Sequence, residues 1–240
     1  MAYVGTVLVA AAVCPHPPLL IPGVTAGAAP ETDALRAACD ATVGELVAAE
    51  PDVIALIGTG PEASAFGAGA WGTFAGYGVD VRAGLPGADT SDPVLPLALT
   101  VGAWLLARSS YAGESQAWSV PADLPSSEAA ALGVEIAGCA PRVGLLVLGD
   151  GSARRSVAAP GYLDDRAGPF DAGVATALTT VDLDALLDLD VGLADELLAV
   201  GRAPWQVLAG AAWGRDWRSD LTYDDAPYGV GYLVASWQLA

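Results

Sequence analysis

No lysine occurs anywhere in the 240 residues, and all ten basic side chains are arginine. That excludes a phosphate-binding P-loop, a Schiff-base lysine and a Ser-Lys dyad. Histidine is nearly as scarce, with His16 alone. This chain by itself therefore cannot build a site from two or more imidazoles, neither a His-rich zinc site nor a two-His-one-carboxylate iron triad. Positive charge is thin: 28 acids face ten bases, for a formal charge of -18. Such a surface repels nucleic acid and anionic membranes, so neither is expected as a partner. The three cysteines, Cys14, Cys39 and Cys139, are odd in number, widely spaced and form no CxxC. A disulfide framework is not expected, and a reducing, cytoplasmic setting fits best. No uninterrupted apolar run reaches membrane-spanning length. Ala2 to Cys14 is apolar enough to resemble a signal-peptide core. However, no Lys or Arg precedes it and Pro15-His16-Pro17-Pro18 follows at once, so a buried first strand is preferred.

What remains is strongly apolar, with 53% hydrophobic and 16% charged residues. That composition belongs to a chain with a large core, and the length fits one domain over residues 1–240. Strand-like and helix-like stretches alternate. Val4–Val13 reads as a buried strand ending at Cys14-Pro15. Glu31–Glu50 is helical, with Leu35, Ala38, Cys39, Val43 and Leu46 on one face. Asp52–Gly58 is a short β-branched run of the kind parallel sheets bury on both sides. Gly60–Gly78, rich in Gly and Ala, reads as a long loop, with a short strand at Val79–Arg82. A helix runs from Asp92-Pro93 to Arg108, a strand over Glu114–Val120, and a helix from Pro125 to Cys139. Val143–Leu148 is again a buried strand. Phe170–Thr179 and Pro204–Trp213 are helical, and Gly229–Leu239 is a last strand. The acids Asp182, Asp184, Asp188, Asp190, Asp195 and Glu196, interleaved with leucines, read as a helix pair with a solvated face; the spacing of a calcium loop is missing. Strands separated by helices predict an α/β fold with a mainly parallel or mixed central sheet.

In such sheets ligands gather beyond the carboxyl ends of the strands. Three segments there carry chemistry. In Cys14-Pro15-His16-Pro17-Pro18 the prolines would fix His16, either as a ligand or acid/base or as a hydrogen-bonded turn residue. A Cys14–His16 nucleophile pair is weaker than a buried, inert thiol. Gly58-Thr59-Gly60-Pro61-Glu62-Ala63 with Asp80 has the outline of a dinucleotide fingerprint, but Gly67, Gly69, Gly72 and Gly76 would break the helix it needs. Asp150-Gly151-Ser152-Ala153-Arg154-Arg155 could be a salt-bridged loop or a clamp for a carboxylate or phosphate.

Taken in order, several stretches resemble the superfamily of class III extradiol dioxygenase catalytic subunits (LigB-type) and MEMO-like proteins. They are Cys14-Pro15-His16-Pro17-Pro18-Leu19-Leu20, Leu148-Gly149-Asp150-Gly151-Ser152, Gly161-Tyr162-Leu163-Asp164 with Phe170-Asp171, Gly201-Arg202-Ala203-Pro204-Trp205 with Leu208-Ala209-Gly210-Ala211, and Gly229-Val230-Gly231-Tyr232. The resemblance implies a three-layer αβα fold. It also implies Fe(II) held by two His and one carboxylate, with a further His as acid/base. His16 falls at the first ligand. Glu62 stands near the second, Ala153 replaces the catalytic base, and Val200 or Gly201 stands where relatives carry Cys or Glu. One imidazole and a displaced carboxylate bind Fe(II) poorly.

Three functional expectations follow. The leading one is a protein that keeps the dioxygenase-like fold and cleft, lacks the iron site, and acts by binding or regulation. The rival is a non-haem metal-dependent extradiol dioxygenase with an atypical His16/Glu62/Asp150 site. The third is a cleft protein for a small anionic molecule gripped by Arg154 and Arg155. Cleft candidates are thus His16, Glu62, Asp150, Ser152 and Arg154, with His16 and Glu62 as weak metal ligands. The ligand expected is small and anionic or aromatic. Self-association is a further expectation, with Trp213 and Trp217 near Arg215 and Arg218 as interface residues.

Overall fold

The computed structural model describes residues 7–24, 29–87 and 92–240. It is a three-layer αβα arrangement. One sheet of seven strands draws on β1 (Val7–Cys14), β2 (Val53–Thr59), β3 (Ser64–Phe66), β6 (Glu114–Val120), β7 (Arg142–Leu148), β8 (Trp217–Asp225) and β9 (Tyr232–Leu239). Strands β4 (Trp71–Thr73) and β5 (Arg82–Gly84) form a separate antiparallel ribbon. The order across the large sheet is β3-β6-β2-β7-β1-β9-β8. The four inner strands β6, β2, β7 and β1 run parallel, and β3, β9 and β8 are antiparallel additions at the flanks.

The helices are α1 (Ala29–Ala48), α2 (Leu97–Ala107), α3 (Ser126–Ala137), α4 (Ala167–Thr180), α5 (Leu183–Leu187), α6 (Val191–Glu196) and α7 (Arg202–Ala212). Helices α1 and α2 pack on one face of the sheet, α3, α4, α5 and α7 on the other, with α3 closely paired to α7. Each face carries its own apolar core, as expected when βαβ crossovers cover both sides of parallel strands. Side chains alternate between the cores: Ile54 and Leu56 of β2 face α1 and α2, while Val53, Ala55 and Ile57 face α3 and α7.

The expected strands and helices are all present, with shifted ends where proline intervenes. The helix expected from Asp92 begins at Leu97, because Pro93 and Pro96 hold the chain extended. The stretch expected as an open loop, Gly60–Gly78, contains β3, β4 and a short turn of 3-10 helix at Ala75–Tyr77. The strand expected at Val79–Arg82 lies slightly later, at β5. Residues 4–6 of the expected first strand lie outside the described residues. The acidic stretch is indeed a helix pair: Asp182 accepts from the Ala185 N–H at 3.0 Å and Asp190 from the Leu193 N–H at 2.7 Å, capping α5 and α6. No helix among the described residues is long and apolar enough to cross a membrane.

Strand β8 was not anticipated. It is an edge strand whose residues alternate between half-buried and exposed, with a bulge between Leu221 and Tyr223. Trp217 is packed against Trp237, ring centroids 6.3 Å apart, and its indole N–H donates to the Ala212 carbonyl. Trp213 is 58% exposed.

Candidate ligand cleft and the His16–Asp150 pair

The parallel strands bring the ends of β1, β7, β2 and β6 side by side. Gly149 N–H donates to the Cys14 carbonyl at 3.0 Å, and Gly201 N–H donates to the Asp150 carbonyl at 2.8 Å. These contacts join the β1 end, the β7 end and the start of α7. The backbones come so close that a Cβ on Gly149 would lie 2.6 Å from Gly201 Cα; only glycine fits there.

His16 and Asp150 meet in this crest. The backbone N–H of His16 donates to Asp150 Oδ1 at 2.7 Å, and the ring Nδ1 stands 3.6 Å from the same oxygen. That ring nitrogen is buried and makes no hydrogen bond among the described residues. The shorter contact decides the role of Asp150: its carboxylate closes the turn after β1 as an acceptor for main chain.

Ser152 is fully buried. Its N–H donates to Asp171 Oδ1 at 2.8 Å and its hydroxyl donates to the Leu197 carbonyl at 2.9 Å. Asp171 is 1% exposed. Its other oxygen accepts from Arg155 Nη1 at 2.9 Å. Burial pushes the Asp171 carboxyl above its ordinary value, with the Ser152 N–H and Arg155 opposing the rise. Arg154 Nη1 donates to the Gly161 carbonyl at 2.6 Å. Both arginines are thus engaged within the 152–171 stretch, Arg155 by an ion pair with Asp171 and Arg154 by a backbone carbonyl.

Glu62 does not join His16 and Asp150. It is exposed on the turn between β2 and β3, where its carbonyl accepts from Ser119 Oγ at 2.7 Å. No group of three His, Cys, Asp or Glu side chains among the described residues is arranged to hold a metal ion. The Fe(II) that the resemblance implies does not fit this donor set. One imidazole is present, and the nearest carboxylate oxygen is engaged by a backbone N–H. The dinucleotide reading fails on topology: β2 is followed by β3, so no helix N-terminus stands at Gly60 to receive a pyrophosphate. Cys14 faces the α1–α2 core with Cys39, whose thiol is pushed well up by its contact with Cys14 and by burial. That suits an inert thiol, not a nucleophile.

Two cavities share Pro61 at this end: one of about 430 Å³, lined by Glu62, Phe66, Pro93 and Ser119, and a cleft of about 410 Å³ between the ends of β2 and β6 and the α6 region. Pro61, Pro121, Val191, Ala194 and Leu198 give it apolar walls, and Asp123 and Asp195 add two carboxylates. Leu198 is held there in the left-handed region, φ 56°. Behind the cleft, the fully buried Arg202 binds two of its walls together. Its Nη2 donates to the carbonyls of Ala122 and Leu124 at 2.6 and 2.7 Å, and its Nη1 donates to Gln206 Oε1 at 2.5 Å. The Gln206 amide in turn donates to the carbonyls of Leu187 and Leu189. Burial lowers the pKa of this guanidinium, while Asp123 and Asp190 pull it back up.

Sequence reasoning identified three of the four strand ends at this crest. It missed the β6 end, because Pro121-Ala122-Asp123 carries no group that stands out. It placed Arg202 only within a motif and gave it no task.

No family model matches the chain, and no curated protein matches it. The structure is similar to a crystal structure of the uncharacterized protein JW3007 from Escherichia coli K12, with a TM-score of 0.55 and 12% identity. That match covers 96% of this chain and 99% of the other. At that identity the likeness speaks for a shared fold alone.

Proposed function

We propose that this chain is a binding protein of the extradiol-dioxygenase-like type that has given up the iron site and takes a small molecule in the cleft beside α6. The observation that carries the reading is the Asp150 carboxylate, closed onto the His16 backbone N–H at 2.7 Å with no third donor beside the pair among the described residues. A metal there would have to break that turn and would still have one nitrogen ligand. The preformed cleft, with walls tied by Arg202 and Gln206, supports a role in holding a ligand. The intramolecular contacts of Arg154 and Arg155 weigh against an anionic ligand and favour the aromatic half of the expectation.

Anaerobic loading with Fe(II), desalting and metal analysis tests the proposal, together with oxygen uptake in the presence of catechols. The expected result is far less than one iron per chain and no uptake. One iron per chain, lost together with oxygen uptake in His16→Ala, would overturn it.

A further inference from the structure

We infer that the cleft beside α6 selects ligands that pair an apolar body with a cationic group, such as an aryl-alkyl ammonium. This rests on the reading of that cleft as a binding site. The cavity itself is the first observation: about 410 Å³, within the range of small-molecule sites, at the carboxyl ends of two parallel strands. Pro61, Pro121, Val191 and Leu198 offer it surface for a ring or alkyl chain. Charge decides what else the ligand carries. The lining includes Asp123 and Asp195 and no arginine or histidine.

These two acids differ from their neighbours. Asp182 and Asp190 cap helices, and Glu196 is paired with Arg166 at 2.6 Å. Asp123 and Asp195 come from different elements, the β6–α3 turn and α6, and neither carboxylate takes part in a hydrogen bond or salt bridge among the described residues. Arg202 feels the field of Asp123, but it feels Asp190 as well and is buried behind the wall. The local balance is therefore negative, in a chain whose formal charge is -18. An anion entering the cleft would meet repulsion without a donor to offset it. An ammonium would be drawn in and would keep its water on the open side.

Titration calorimetry with three probes of similar shape tests this: 2-phenylethylamine as the cation, 2-phenylethanol as the neutral isostere and 3-phenylpropanoate as the anion. The amine should bind with a Kd on the order of 1 mM, the size expected for so few atoms. The alcohol should bind several-fold more weakly and the anion not at all. Asp123→Asn and Asp195→Asn should each weaken amine binding about two- to five-fold, the double variant should erase the preference for the cation, and high salt should act in the same direction. Val191→Trp, which fills the cleft from a half-buried position, should abolish binding with circular dichroism unchanged. Equal binding of all three probes, no amine binding in the millimolar range, or amine binding that survives Val191→Trp would overturn the inference. Iron retention with amine binding intact would overturn the metal-free reading and leave this one standing. Absent iron with absent amine binding would do the reverse.

Discussion

Replacing Asp171 probes the centre of the crest. In Asp171→Ala the buried Ser152 N–H loses its acceptor, which costs about 1–3 kcal/mol for an unsatisfied buried donor. Arg155 loses its partner too, but its side chain is 30% exposed and can turn to water, so that part is below about 1 kcal/mol. The sum is about 1–4 kcal/mol, or roughly 2–16 °C in Tm for a chain of this length. Asp171→Asn keeps an acceptor for Ser152 and sheds the cost of burying charge, so its loss should be about 1 kcal/mol. The pH dependence separates the two contributions. The folded carboxyl titrates above its ordinary value. Below about pH 3.9, the usual aspartate value, both folded and unfolded chains hold the proton and the stabilising difference is fully present. As pH rises, the unfolded chain releases its proton first, so this residue's contribution falls until the folded pKa is passed. Urea denaturation of the wild type and Asp171→Asn, at steps from pH 4 to 7, should show the advantage of the wild type shrinking with pH. An advantage that grows with pH, or an Asp171→Ala protein within 0.5 kcal/mol of wild type, would refute the reasoning.

Two further perturbations follow from packing and from the cleft walls. A Cβ on Gly210 would stand 2.2 Å from the Ala130 carbonyl, where α7 crosses α3. Gly210→Ala should therefore destabilise by about 1–3 kcal/mol in chemical denaturation, although alanine at a solvent-exposed helix position would stabilise by up to about 1 kcal/mol. Arg202→Met removes the donors that hold Ala122, Leu124 and, through Gln206, the α5–α6 turn. Hydrogen exchange should quicken at residues 121–125 and 187–191 while β1 and β7 stay protected; unchanged exchange in those two turns would argue against the tie.

How much of this was legible beforehand depends on which force shapes each part. The inner strands were readable because burial on both faces leaves continuous apolar runs such as Val53–Thr59 and Val143–Leu148. Strand β8 escaped because Arg218, Asp220 and Asp224 make it read as a polar loop, although Trp217, Ser219 and Leu221 already alternate with them. The pairing of His16 with Asp150 could be suspected only as two strand ends placed near each other. Its form, a carboxylate on a backbone N–H, depends on the exact approach of β1 to β7 and leaves no trace in residue types. The burial of Ser152 and the use of Arg155 by Asp171 were hidden for the same reason. The α6 wall of the cleft is made of side chains that look ordinary one by one and acquire meaning only when folded against Pro61 and Pro121.

The place of β9 bears on how this chain is made. It lies between β1 and β8, with Ala10 opposite Gln238 and Val13 opposite Ala235. During synthesis from the ribosome, β1 emerges early and can find β7 midway, but its other flank stays open until Tyr232–Leu239 has left the exit tunnel. Pairings this distant along the chain form slowly. A nascent chain stalled before that point would present a bare apolar edge, the kind of surface that holding chaperones cover.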